Sequence, residues 1–319
     1  MSPVLKASVV LLGWLAIVQP AAGAVDAGSA PTIAPWLNLE GEASSLGMAG
    51  AGSSVMGGAG SVGSNPAGLA VLHTPELSFS HQSLGTNLSA DRLAYGMGFG
   101  DAKAFGLAID YLSLGSFETL ELDSSGDVVD GPTVAPRGFS GALAYAQRLH
   151  GLDVGVAARL ISDDPDGQGM AMGFSGDLGL SYNPLAGLLL GASLNQWGTP
   201  LLGAQLPTQA RLGLSYARPL GERGLALMAA AEERLPTANV SQSSTRVGLQ
   251  LGIGKAFALR GGYEQLAGLG YGQWRMGLGG GFGGYQLDYA FAPGAEGLAS
   301  HVVSLSVDWR AAFGGGSRP

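Results

Sequence analysis

Residues 104–113 read AFGLAIDYLS, and every second side chain is large and apolar. Phe105, Leu107, Ile109 and Tyr111 fall on one parity, while Gly106, Ala108 and Asp110 fall on the other. A period of two sends those sets to opposite faces of a β-strand. Leu93, Tyr95, Met97 and Phe99 follow the same rule, as do Leu212, Leu214 and Tyr216. It returns at Val247, Leu249, Leu251 and Ile253, and at Val303, Leu305, Val307 and Trp309. One face is greasy and the other is small or polar throughout. Fourteen such segments are expected, at 76–82, 92–100, 104–113, 138–148, 152–161, 171–182, 188–197, 208–217, 224–233, 244–253, 257–264, 273–282, 285–291 and 301–310.

Most of these segments approach the ~9 to 11 residues with which a tilted strand crosses hydrocarbon, and exceed the ~5 to 6 of soluble strands. The connections after the second, fourth, sixth, eighth, tenth and twelfth segments are short: DAK, LHG, NPLAG, RPLGER, KAF and GG. The other connections are longer, such as 114–137. Alternating short and long connections with an even strand number mark an outer-membrane barrel, an all-β transmembrane antiparallel fold. A soluble sandwich would hide its apolar face and show the polar one. In a bilayer that demand inverts, and only a closed barrel leaves no backbone edge unpaired. Tyr111, Tyr263, Trp274 and Phe291 fit one interfacial girdle, and Phe99, Tyr182, Tyr216 and Trp309 the other. Trp197 falls on the wrong parity for either.

The composition agrees with a membrane wall. The 319 residues include 55 Gly and no Cys, with 13% charged and 46% apolar residues. Lys6, the 12-residue apolar core ASVVLLGWLAIV at 7–18 and the small residues Ala22, Gly23 and Ala24 read as a signal peptide over 1–24. The expected plan continues with an N-terminal segment at 25–74, the barrel at 75–313 and a disordered tail at 314–319. The acidic balance, 24 Asp+Glu against 16 Lys+Arg, disfavours nucleic acid as a partner. The expected surroundings are bacterial outer-membrane lipid and lipopolysaccharide.

If the greasy parity faces lipid, the other lines the lumen. It carries Asp110, Arg159, Asp177, Arg211, Glu232, Arg246, Arg260, Glu264, Arg275, Asp288, Asp308 and Arg310. Such charges serve as a polar path or as ion pairs that brace the interior. The remaining lumen positions are mostly Gly, Ala and Ser, which leaves room inside. Residues 42–72, EASSLGMAGAGSSVMGGAGSVGSNPAGLAVL, are too small-sided for a wall strand and suit a plug threaded through that room. In this reading Asn65 and Pro66 form a hinge, since Asn favours a local side-chain turn and Pro fixes φ and removes a donor.

The order SLGMAGAG (45–52), NPAGLA (65–70), then barrel resembles the FadL-like outer-membrane proteins, most nearly their PorV/PorQ branch. FGGYQLDYAFAP at 282–293 and HVVSLSV at 301–307 resemble that branch's last two strands. The resemblance implies a fourteen-stranded barrel with an N-terminal hatch that includes Leu46, Gly47, Met48, Gly50, Asn65, Pro66, Ala67 and Gly68. Gly57-Gly58 stands where the family has an acidic pair, and Gly63-Ser64 where it has an aromatic residue, so contacts made by those groups are not carried over. Two functions are implied. One is passage of a hydrophobic or small molecule across the outer membrane. The other, as in PorV, is a non-enzymatic accessory role that holds partners of a secretion or surface-assembly system.

Catalytic and cofactor signals are thin. His73, His81, His150 and His301 show no metal-ligand spacing, and no GxSxG occurs. Asp123, Asp127 and Asp130, and Asp163, Asp164 and Asp166, lack the spacing and terminal Glu of calcium loops. No enzyme activity, cofactor or metal is expected. A closed membrane barrel resists SDS until heated, so unheated and boiled samples should migrate differently in gels; identical migration would reject the barrel.

Overall fold

The computed structural model describes residues 32–52, 57–85, 87–100, 102–125, 127–167, 169–221, 224–236, 243–254, 256–267, 272–294 and 299–313. The expected signal peptide at 1–24 and the tail at 314–319 lie outside them. The wall begins with β1 (Glu76–Ser83), β2 (Ser89–Phe99) and β3 (Lys103–Ser113). A hairpin of β4 (Phe117–Leu122) and β5 (Val128–Val134) comes next as a separate two-stranded sheet. The wall resumes with β6 (Arg137–Leu149), β7 (Leu152–Asp164), β8 (Ala171–Leu185), β9 (Leu188–Gly198), β10 (Gln209–Leu220) and β11 (Leu225–Pro236). It ends with β12 (Ser244–Ile253), β13 (Phe257–Leu266), β14 (Gly272–Phe282), β15 (Tyr285–Pro293) and β16 (Ala299–Asp308).

Every wall strand pairs antiparallel with its sequence neighbour, β6 following β3, and β16 returns to pair with β1 from Glu76↔Asp308 to Ser83↔His301. The result is a closed fourteen-stranded barrel, which removes the unpaired edges that hydrocarbon would penalise. All fourteen segments expected from the alternation are present within a few residues. Connections at one rim have two to four residues and those at the other five or more. The first rim is therefore the periplasmic one.

The parity is visible in exposure. On β3 the pattern alternates strictly through the centre: Phe105 is 53% exposed and Ala108 is 1% exposed. Leu143, Phe174, Leu249 and Met276 also present more than half of their surface outward. Phe99 stacks on Phe105 at 4.8 Å near the periplasmic rim, and Tyr263 packs on Trp274 at 4.8 Å near the other.

Three features differ from the alternation. Trp197 faces outward at 67% exposure, although strict alternation would turn it inward. A β-bulge between Gly176 and Leu178 on the β8–β9 ladder lets the adjacent Asn195 and Gln196 both be buried, with Gln196 at φ 54°, and so reverses the parity from Trp197 onward. The last strand, expected to reach 310, stops at Asp308. Its Oδ1 accepts from Arg310 N at 3.0 Å and Ala311 N at 3.1 Å, capping a short helix over Trp309–Phe313. Arg310 therefore lies outside the wall, exposed. The third feature is the β4–β5 hairpin inside the long connection 114–136, which the alternation did not mark.

Leu107 faces lipid at mid-strand. Leu107→Arg should destabilise the barrel by about 2–4 kcal/mol. The folded fraction in a urea titration in detergent or lipid would measure it.

Candidate functional site

The lumen is crossed by residues 32–52 and 57–74. The segment starts at the long-loop rim, where Ile33 N donates to Gln205 O at 3.0 Å and Trp36 Nε1 to Asp163 Oδ1 at 2.9 Å. Ile33, Ala34 and Leu37 pack with Ile161, Leu201 and Leu206 there. It ends at the periplasmic rim, where Thr74 Oγ1 donates to Asp308 Oδ2 at 2.9 Å and Trp309 N to Pro75 O at 2.9 Å.

Between those ends, the small residues of segment and wall meet. A helix over Ala43–Gly47 lies on β13 to β16, with Ala43 and Leu46 against Ala290, Ala292 and Val302. Gly47 faces Gly277, where a Cβ on either would come within about 3.1 Å of the other's Cα. Met48 lies over Gly248 and Gly262; a Cβ at Gly262 would stand 2.4 Å from the Met48 carbonyl carbon. Gly50, at φ 72°, lets its carbonyl accept from Arg234 Nη2 at 2.9 Å.

The second half is a pair of 3-10 turns, Ala59–Gly63 and Pro66–Val71, whose Val62, Leu69, Ala70 and Leu72 pack on the wall alanines 94, 104, 108, 142, 144, 146 and 157. Asn65 is the N-cap of the second turn: its Oδ1 accepts from Ala67 N at 3.1 Å, and its Nδ2 donates to Leu180 O on β8 at 3.0 Å. Pro66 comes next at the first helical position, where no donor is needed. Ala67 and Gly68 continue the turn and are fully inside. Asn65 is 0% exposed, so the reversal expected at Asn65-Pro66 is a helix start deep in the lumen. The chain turns into the wall only at 73–75, because the side-chain turn of Asn65 is used to begin a helix.

The inward charges form three groups. On β2, β3, β7 and β8, Arg92 pairs with Asp110, Arg159 Nη1 reaches Asp110 Oδ2 at 3.0 Å, and Arg159 Nη2 reaches Asp177 Oδ2 at 3.4 Å. Asp177 Oδ1 also accepts from the bulged Gln196 N at 2.7 Å. On β10 to β14, Glu40 of the internal segment pairs with Arg234 and with Arg246 Nη1, the latter at 2.8 Å. Arg234 Nε also meets Glu232 Oε1 at 2.7 Å, and Glu264 is shared by Arg246 and Arg275. Lower in the lumen, Arg260 Nη1 meets Asp288 Oδ1 at 2.5 Å. Arg211 is 3% exposed and in no ion pair among the described residues, and Asp308 sits at the periplasmic rim.

Sequence reasoning missed Glu40, Arg92 and Arg234. Arg92 shares parity with Ala94 and Gly96, and Arg234 shares it with Glu232 on a strand that runs to Pro236, so parity alone marks both. Glu40 lies on the segment, where no period applies. Outside the lumen, His81 Nδ1 lies 2.7 Å from Asp91 Oδ1 and His301 Nδ1 lies 2.8 Å from Tyr289 Oη, both on the outward face. Among the described residues no group of three or more metal-ligating side chains forms.

No protein-family model matches the sequence, and no curated protein matches it. Solved structures match the fold. The toluene transporter TodX of P. putida aligns over 85% of this chain and 99% of its own, at 14% identity and TM-score 0.60. The monoaromatic hydrocarbon channel CymD aligns over 85% and 97%, at 13% identity and TM-score 0.56. A FadL homologue of Pseudomonas aeruginosa aligns over 84% and 98%, at 12% identity and TM-score 0.50. The chain thus shares the barrel fold of these structures.

The glycine contacts are testable. A Cβ at Gly155 would stand 2.3 Å from the Pro66 carbonyl carbon and from Ala67 N, both backbone atoms that cannot rotate away. Gly155→Val should leave a closed wall and displace the 66–71 turn. Because the chain has no Cys, Ser64→Cys provides one label site. Its maleimide labelling should be slow alone and several-fold faster with Gly155→Val.

Proposed function

We propose that the chain is an outer-membrane transport barrel that passes a hydrophobic or small molecule through its lumen, with residues 32–74 as a removable plug. The observation that carries this reading is the way the lumen is filled. Its centre is occupied by a segment joined to the wall covalently at one end and elsewhere by hydrogen bonds, ion pairs and small-residue packing. A barrel whose only task is to stand in the membrane can fill its interior with wall side chains, as small barrels do. Here the wall gives up that bulk at Gly96, Gly106, Gly155, Gly179, Gly248, Gly262 and Gly277, and the segment supplies it. The fold shared with TodX and CymD, a toluene transporter and a hydrocarbon channel, supports the same assignment.

The signal-peptide pattern at 1–24 supports export, and in this reading the closed barrel then stands in the outer membrane with lipid and lipopolysaccharide around the wall. The SLGMAGAG and NPAGLA elements support a place in the PorV/PorQ branch. The accessory alternative has one observation in its favour. The β4–β5 hairpin projects from the long-loop rim with Leu120 and Val128 exposed beside Glu118, Glu121 and Asp130, a surface that suits an exported protein partner. Transport is preferred because it accounts for the whole lumen, while the alternative accounts for one loop.

Deleting 41–60 removes the middle of the segment, including the Ala43–Gly47 helix, and leaves every wall strand. Single-channel conductance in planar bilayers should rise well above that of the intact protein, and proteoliposomes carrying the truncated form should equilibrate small aromatic probes faster. If conductance and flux are unchanged, the segment is not a plug.

A further inference from the structure

We propose that the lumen just below the long-loop rim is a recognition site for a compact organic monocarboxylate, so that the transported class is a small organic acid and not a neutral hydrocarbon. The proposal rests on the transport reading and narrows it. Strands β10, β11, β12 and β14 place Arg211, Arg234, Arg246 and Arg275 on the inward face within four residues of their long-loop ends. Three carboxylates answer them: Glu40, Glu232 and Glu264. The cluster therefore holds one guanidinium more than it has carboxylates. Arg211 is the one without an ion pair among the described residues, and its buried Nε has no hydrogen-bond partner; the buried Nε of Arg275 has none either.

An uncompensated buried cation is costly, and a ligand that brings one negative charge relieves it. The planar guanidinium can meet a carboxylate in a two-point hydrogen bond, and Glu40 Oε1, held by both Arg234 and Arg246, shows that this part of the wall binds a carboxylate oxygen. Beside the cluster lies a cavity of about 300 Å³, with Arg246, Arg275 and Glu40 on its polar side and Leu39, Leu84 and Pro293 on its apolar side. That is the lower end of the ~300–1,000 Å³ usual for small-molecule sites, which limits the apolar body to a short one. A neutral hydrocarbon would leave the excess charge unanswered.

The test compares benzoate with the neutral benzyl alcohol on the full-length protein, by calorimetry in detergent and by flux in proteoliposomes. Benzoate should bind at least about tenfold more tightly, the scale of one charge-assisted pair. Arg275→Gln and Arg246→Gln should each remove most of that preference, and Glu121→Gln on the outer hairpin should leave it intact. Heat-modifiable migration checks that each variant folds, and the wild-type comparison decides the matter if one does not. Equal or tighter binding of benzyl alcohol would overturn the carboxylate site, as would a benzoate affinity indifferent to both arginine changes. Flux of both probes without preference would overturn the site and keep the transport reading. Absence of flux for either probe would overturn transport, with the binding comparison still deciding the site.

Discussion

The structure depends on how closely a second chain segment approaches the inner surface of a β-wall. Pro66 and Ala67 put backbone atoms where a Cβ at Gly155 would be, Asn65 Oδ1 lies 2.1 Å from the Cβ position of Gly179, and Met48 does the same over Gly248 and Gly262. At those distances no side chain larger than hydrogen fits on the wall. The glycine content is thus a condition for having the lumen filled by a segment instead of by the wall. The same contacts let Asn65 reach Leu180 O and Asn195 Nδ2 reach Ser64 O at 2.8 Å, so the segment's polar groups are answered by the wall.

The two larger of the three inward charge groups differ in their balance. The β2, β3, β7 and β8 group balances two arginines with two aspartates and is braced by Ser140, whose Oγ donates to Asp110 Oδ2 at 2.8 Å. Its role is to hold the wall's shape where the bulged Gln196 interrupts the ladder. The β10 to β14 group is unbalanced and borrows Glu40 from the internal segment. Wall and segment are therefore tied both by packing and by charge, and Glu40, which makes the charge tie, also lines the cavity. Moving the segment would expose Arg234 and Arg246 together.

The outer face is set by the solvent. Leucines and aromatic side chains that a soluble protein would bury stand exposed around the wall, because hydrocarbon takes the place of a core. The bulge at Asn195-Gln196 shows how local the exceptions are: one extra residue turns Trp197 outward, where its ring suits the lipid side, and leaves two residues inside, Gln196 donating its backbone N–H to Asp177 and Asn195 its Nδ2 to Ser64 O. The short helix at Trp309–Phe313 is another, produced by a single capping aspartate at the end of the last strand.

From the sequence alone, the alternation at 104–113 and in its thirteen counterparts determines a membrane-spanning barrel. Side-chain parity depends only on position in a strand, and a shift of one residue would exchange the two faces. Parity also assigns the inward charges, since a residue such as Glu232 or Arg159 has no other face to occupy. Only the tertiary structure decides which of those charges meet, because Arg159 and Asp110 lie on different strands and Glu40 lies on none. It also decides what Asn65 and Pro66 do. A local Asn-Pro pattern permits a turn at a rim or a helix start in an interior, and the choice is made by Leu180, Gly179 and Gly155, residues about ninety or more positions away that come together only when the wall closes.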